Sequence, residues 1–424
     1  MIAIQIGKIL LKEFNKRNKK KYSAEEFFLK EFWPLFYDNE KYLQSITNSK
    51  FFQIGSNKNP KKEKRKEMLK NLQNDLNKQI FHMGTAPGFM ASDSTQATFS
   101  QLTSLKFPIF QEDVYLAWIG NGCGIGIAGG LTIYFQIPDL LYSLYLGWKE
   151  YRKLLNNNKA LRPNQIDGWN SIWIHSLIFK RRINLNDKLY FDVDPKTKIL
   201  GIERIKWLLI LWAINKQYHN LKTINGYVFN FSQQNTTIGF INFNLYEIKY
   251  PMKLYQKLFG KNEYLKDEDK ILNLFGTAHG FKTFCKMGVI GITALEPKGL
   301  AEFYSENYKQ SKKIENGFQP NTFKTYILAM INNTELNKKT EELIQIFKDY
   351  EATETKGKVG KSKLIEEILT SSSLPTLLNN FAEFANKYDK GNKILQAIKL
   401  DILDLNKEKF KMFMSLLRIN YNLK

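Results

Sequence analysis

Cysteine is nearly absent: the chain has two in 424 residues, Cys123 and Cys285, and no CxxC pair. That excludes a disulfide framework and a thiolate zinc site, and it fits a reducing compartment, so a cytoplasmic location is expected. Histidine is almost as scarce. His82, His175, His219 and His279 stand far apart, without the HxH or HxxxH spacing of a metal site. There is no GxSxG, no HExxH and no GK[ST], so a nucleophile elbow, a zincin helix and a P-loop are all missing. No catalytic centre, metal or cofactor is expected. The longest uncharged stretch, Val114 to Pro138, contains six glycines with Asn121 and Gln136, which argues against a membrane span. Met1 to Leu11 is interrupted by Lys12-Glu13 too soon for a signal peptide.

What is abundant is positive charge. There are 63 Lys and Arg against 41 Asp and Glu, a formal net charge of +22. Such an excess attracts a polyanion, and nucleic acid is the partner it fits best. The heavy use of Lys, Asn and Ile also suits an AT-rich genome, which would raise the charge without any polyanion. The excess is uneven: residues 1–315 carry 46 basic and 28 acidic residues, and residues 316–424 carry 17 and 13. A basic mixed α/β domain over 1–315 and a C-terminal helical bundle over 316–424 are expected, an α+β chain with antiparallel hairpins. With 43% hydrophobic and 14% aromatic residues, most of it should fold.

The local patterns give particular elements. Ser23 to Glu26 reads as a capping box, followed by an aromatic run, FFLKEFWPLFY, whose ordinary place is a core. Residues 55–67 read as a basic loop entering a helix, with Lys58, Lys61, Lys62, Lys64, Arg65 and Lys66 placed to grip phosphates or simply to face water. The glycines at 122, 124 and 126 lack the strand-before, helix-after context of a dinucleotide site and read as a hairpin or tight turn, with Asn121-Gly122 in it. A strand over Leu131–Ile137 and an amphipathic helix from Pro138 follow.

Arg162, Asn164, Gln165, Trp169, Asn170 and Trp173, then Lys180, Arg181 and Arg182, fit two readings. Arg and Asn can read base edges and Trp can stack; equally, the tryptophans are core and the basic tripeptide is surface. KLYFDVD and KILGI flank a turn at Pro195. Residues 206–214 form a buried helix, and residues 226–248 a hairpin with Gln233, Gln234 and Asn235 at its tip. From Asn321 onward, apolar residues recur at i, i+3, i+4 in a bundle of helices, with a flexible joint at EATETKGKVGKS. The best enzymatic alternative is a Mg-dependent DNA endonuclease of restriction type, using Asp192 or Asp194, Glu203 and Lys206. Its acid-x-Lys pair is spoiled by one extra residue in Glu203-Arg-Ile-Lys206.

EDVYLAWIGNGCGIGIAGG, GWKEYRKLL, NQIDGWNSIW and the terminal KFKMFMSLLRINY, set in a basic α/β part closed by a helical bundle, resemble the large subunit of type I CRISPR interference (Cascade) complexes. The resemblance covers the chain by architecture and only short patches by wording. It implies a non-catalytic role in antiviral defence. Such a subunit sits in a ribonucleoprotein with guide RNA and other subunits, recognises the protospacer-adjacent motif in double-stranded target DNA, helps open the strands and recruits a helicase-nuclease. On that reading the 58–66 loop and Lys180 to Arg182 hold phosphates. Asn121-Gly122, Asn164-Gln165 or Gln233 to Asn235 enters the groove.

Overall fold

The computed structural model describes residues 1–45, 51, 62–79, 85–87, 109–230, 236–304, 319–354 and 362–423. The chain divides into two units, residues 1–243 with 285–289, and residues 244–284 with 290–424. The first unit holds 35 basic and 19 acidic residues, a net of +16 out of +22. The α+β class is as expected, with a small sheet in the first part and helices throughout the C-terminal region. The boundary expected at 315 lies outside the described residues, and the second unit takes in helices from Leu245 onward as well.

The first unit begins with α1 (Ile2–Asn18), α2 (Ala24–Phe27), a π-helical turn (Phe28–Phe32) and α3 (Trp33–Phe36). Next come α4 (Lys62–Asn77) and α5 (Gln111–Asn121). α1 buries Ala3, Ile4, Gly7, Leu10, Leu11 and Phe14, a stripe at helical spacing. It crosses α5 so closely that a Cβ on Gly120 would stand 1.8 Å from the Ala3 carbonyl oxygen, and one on Gly7 2.2 Å from that of Leu116. Only glycine permits that approach. The capping box at Ser23 forms as expected: Glu26 N–H donates to Ser23 Oγ at 3.1 Å and Ser23 N–H to Glu26 Oε2 at 3.0 Å. The aromatic run behind it is core. Phe27, Phe28, Phe32, Trp33, Phe36 and Tyr37 are all buried, and Phe36 meets Trp148 edge-on at 4.9 Å.

Then follow β1 (Ile125–Ile127), β2 (Leu131–Phe135), α6 (Pro138–Asn157), α7 (Ile166–Ile178), β3 (Phe191–Val193), β4 (Leu200–Ile202), α8 (Trp207–Gln217), β5 (Thr223–Asn230) and β6 (Thr236–Asn244). The main sheet has the order β1-β2-β5-β6-β7, where β7 is Val289–Ile290. β3 and β4 pair separately around the expected Pro195 turn. The β1–β2 turn is made by Gly129 and Gly130, with φ of 94° and 79°. Of the three glycines expected in a hairpin or tight turn, Gly122 lies in the turn that follows α5 and Gly126 lies within β1. Gly122 packs under Phe32 and Phe36, Gly124 against Thr132 and Tyr134, and Gly126 against Asp167, all three buried. β2 stops at Phe135, short of the expected Ile137, and Pro138 opens α6. α8 is buried from Trp207 to Asn215, as its unbroken apolar run implies.

The second unit is helical: α9 (Leu245–Phe259), α10 (Lys261–Lys266), α11 (Glu268–Leu274), α12 (Ala278–Cys285), α13 (Pro320–Ile331), α14 (Leu336–Glu354), α15 (Lys363–Leu369), α16 (Leu374–Lys387), α17 (Asn392–Ile402) and α18 (Lys407–Leu423). α13 packs on α9 and α18, and α14 on α17 and α18. α18 carries the polar centre of the bundle. Arg418 is 3% exposed; its Nε donates to Leu369 O at 2.8 Å and its Nη1 to Phe303 O at 2.7 Å. The joint expected before Leu364 falls largely on residues 355–361, outside the described residues.

Candidate nucleic-acid interface

The densest exposed charge lies at the end of α1, outside the basic segments expected to bind phosphate. Lys16, Arg17, Lys19, Lys20 and Lys21 fill five of six positions and all are exposed. The helix ends because Lys19 adopts the left-handed conformation, φ 52°. Asn15 closes the turn beyond it. Its Nδ2 donates to Tyr22 O at 2.8 Å, and its Oδ1 accepts from Tyr22 N–H at 3.0 Å. The Tyr22 ring stacks on Phe14, with the ammonium groups of Lys20 and Lys30 over it at 5.6 and 4.7 Å. The cationic turn is thus pinned at both ends rather than left as a tail.

Contacts carry this cluster onto neighbouring helices. Arg17 pairs with Glu13 and Asp139, and its guanidinium lies 4.7 Å over Tyr142 of α6. One turn on, Lys149 stands over Tyr145 at 4.6 Å. Tyr218, at the end of α8, feels the charges of Asp139 and Arg17. Burial, with a smaller push from Asp139, raises its hydroxyl to about 12. Two residues back, the Lys216 ammonium stands 4.4 Å over Phe179, the residue that ends α7. Lys180, Arg181 and Arg182 follow directly, all exposed. Arg181 is tied to Asp187 at 3.2 Å.

The C-terminal ends of α7 and α8 thus meet at Phe179 and Lys216, and the end of α1 lies within electrostatic reach of Tyr218. Helix C-termini carry partial negative charge, which accounts for some of the lysines. The cations exceed that need. Among the described residues Lys16, Lys19, Lys20, Lys21, Lys180 and Arg182 pair with no carboxylate.

The other expected residues lie elsewhere. Lys58 and Lys61 are outside the described residues, as are Gln233, Gln234 and Asn235. Lys62 opens α4, so Lys64, Arg65 and Lys66 sit on a helix rather than a loop. Lys64 pairs with Glu67 at 3.0 Å; Arg65 is 11% exposed and faces Asp38 at 3.9 Å. That region lies by the far end of α6. There Lys41 Nζ donates to the carbonyls of Asn158 and Lys159 at 2.8 and 3.1 Å, and Arg152 Nε to Leu35 O at 2.8 Å. Burial lowers both groups, Arg152 to about 10. Arg152 lies thirteen helical steps beyond Asp139, so the two basic regions stand about 20 Å apart along α6.

Asn164 and Gln165 belong to that far end. Asn164 takes a left-handed φ of 63°, its N–H donating to Tyr42 O at 2.7 Å, and Gln165 Oε1 accepts from Ile202 N–H at 2.9 Å. Of the two tryptophans, Trp169 is core and Trp173 is half-buried against α6. Trp169 and Trp173 donate their indole N–H groups to the carbonyls of Gly147 and Ser143 on α6, each at 2.8 Å. Asn170 is fully buried. Its Nδ2 donates to Gly122 O and Gly124 O at 2.8 Å, and its Oδ1 accepts from Trp148 Nε1 at 3.1 Å. Asn121 is drawn inward too, in a chain from Tyr37 through Gln44 to Asn121 and Tyr134. With Gly122 buried, this pair faces the interior rather than a groove.

The endonuclease alternative finds no assembled site among the described residues. Asp194 Oδ1 accepts from the Lys196 and Thr197 N–H groups at 2.8 and 2.9 Å, a turn-forming duty that lowers its pKa. Asp192 and Glu203 are exposed. Lys206 ends as the residue before α8, where burial pulls its ammonium down to about 8. No group of three or more His, Cys, Asp or Glu placed to hold a metal occurs among the described residues. Both cysteines are buried and free, their thiols pushed up by burial, Cys285 to about 12. No described helix is long and apolar enough to cross a membrane. No family model matches the chain, and neither does a curated protein or a solved structure.

Proposed function

We propose that the chain is a non-catalytic nucleic-acid-binding protein whose first unit lies along a sugar–phosphate backbone. The observation that carries this reading is the set of exposed cations at the C-terminal ends of α1, α7 and α8. There pinned, exposed cations run from Lys16 to Lys21, across Arg17 and Lys216, to Lys180 and Arg182. Point cations on short turns suit phosphates, which fix position without reading sequence. The finer reading is a large subunit of an RNA-guided interference complex in the cytoplasm. It would bind guide RNA and its fellow subunits, check the protospacer-adjacent motif in duplex DNA, help separate the strands and receive a helicase-nuclease.

Tagged and purified from cells expressing its native operon, the chain is expected to bring RNA and several RNA-binding proteins with it. A chain that purifies alone and free of RNA contradicts the complex. A chain that also fails to shift a DNA duplex at low salt contradicts nucleic-acid binding itself.

A further inference from the structure

We infer that the outer face of the β5–β6 hairpin is a stacking platform for the bases of a single-stranded nucleic acid. The inference rests on the nucleic-acid reading above and narrows it to an unpaired strand.

The two faces of this hairpin differ. Gly226, Val228, Ile241 and Phe243 point inward and are buried, with Phe243 against Phe135 of β2 at 5.7 Å. On the other face Asn242 Nδ2 donates to Asn225 Oδ1 at 3.0 Å, and Tyr227 meets Phe240 edge-on at 5.1 Å between centroids. Both pairs belong to one antiparallel register, which sets Phe229 opposite Ile238. Tyr134 of β2, opposite Tyr227, is only 4% exposed, so the cover over this face ends between β2 and β5. Phe240 is 64% exposed, and Tyr227, Phe229 and Ile238 are half-buried.

The surroundings choose the occupant. Neither strand contains an acidic residue. Lys222 leads into β5. Lys286 lies shortly before the edge strand β7, and the carbonyl of Gly288, the residue just before that strand, accepts from Asn242 N–H at 2.9 Å. Both lysines are exposed, and among the described residues neither pairs with a carboxylate. An apolar protein partner would cover the rings and leave the amide pair and lysines unmatched. A duplex hides its base faces. A single strand supplies π-faces for Tyr227 and Phe240, base edges for Asn225 and Asn242, and phosphates for the lysines.

The test is binding of labelled oligo(dT) and of a DNA duplex, by fluorescence anisotropy, to the full chain and to the Tyr227→Ala/Phe240→Ala variant. Both positions lie on the outer face, and circular dichroism checks that the variant is folded. Affinity for oligo(dT) is expected to fall about 10- to 100-fold, the loss of one or two stacked bases. Duplex affinity should change less than about twofold, since phosphate contacts carry it. Phe240→Trp should keep oligo(dT) affinity. An unchanged oligo(dT) affinity in the double variant overturns the platform, and so does a parent chain that binds duplex but not oligo(dT). Loss of self-association as the only change in the variant also overturns it, by making the face a contact between copies. A parent chain that binds neither nucleic acid instead sinks the broader reading.

Discussion

Lys206 shows how a single side chain can be set against its own fold. Its ammonium falls from an ordinary 10.5 to about 8 because burial penalises the charge. The penalty is fully present below pH 8, shrinks as pH rises, and is gone above about 10.5. Lys206→Met should therefore raise stability by about 1–3 kcal/mol at pH 7, with less gain at pH 9.5, measured by urea unfolding. An equal gain at both pH values would refute the assignment. Asn170 is the opposite case. Its amide satisfies two glycine carbonyls and the Trp148 indole. Asn170→Ala leaves all three buried and unpaired, and a loss of about 3 kcal/mol or more is expected. A thermal midpoint equal to that of the parent would show that those groups find other partners.

At the scale of elements, the α1–α5 crossing depends on two missing side chains. Gly120→Ala sets a methyl group onto the Ala3 carbonyl, so α1 must shift. A cost of about 3 kcal/mol follows, read as reduced protection of α1 amides in hydrogen exchange. Protection as strong as in the parent would contradict the close approach. In the second unit, Arg418→Ala removes a buried cation that binds Leu369 O and Phe303 O. It should cost about 3 kcal/mol and lower the unfolding temperature. An unchanged midpoint would refute that role.

Elements stated by local chemistry were legible in the sequence: the Ser23 capping box, Pro138 at its helix start, the apolar run of α8 and the C-terminal periodicity. What Gly122, Gly124 and Gly126 do was not, because their neighbours are residues of other elements: Phe32, Tyr134 and Asp167. Trp169, Asn170 and Trp173 stayed ambiguous for the same reason, since a buried amide and a base-reading one look alike until the carbonyls around them are known.

For the whole molecule, the charge surplus was visible in composition, and its concentration in the first unit sharpens it to +16. The run Lys16 to Lys21 was visible too. Its nearness to Lys216 and Lys180 was not, because the ion pair at Asp139, the field felt at Tyr218 and the ring contact at Phe179 link residues far apart in sequence. The direct test is the salt dependence of duplex binding by the parent and by Lys16→Glu/Lys19→Glu/Lys20→Glu/Lys21→Glu. Each neutralised phosphate adds about 0.9 to the slope of log affinity against log salt. The parent should show a slope of about −5, and the variant one shallower by about 3 with at least a 100-fold weaker affinity at low salt. Equal slopes and affinities for the two proteins would contradict the account.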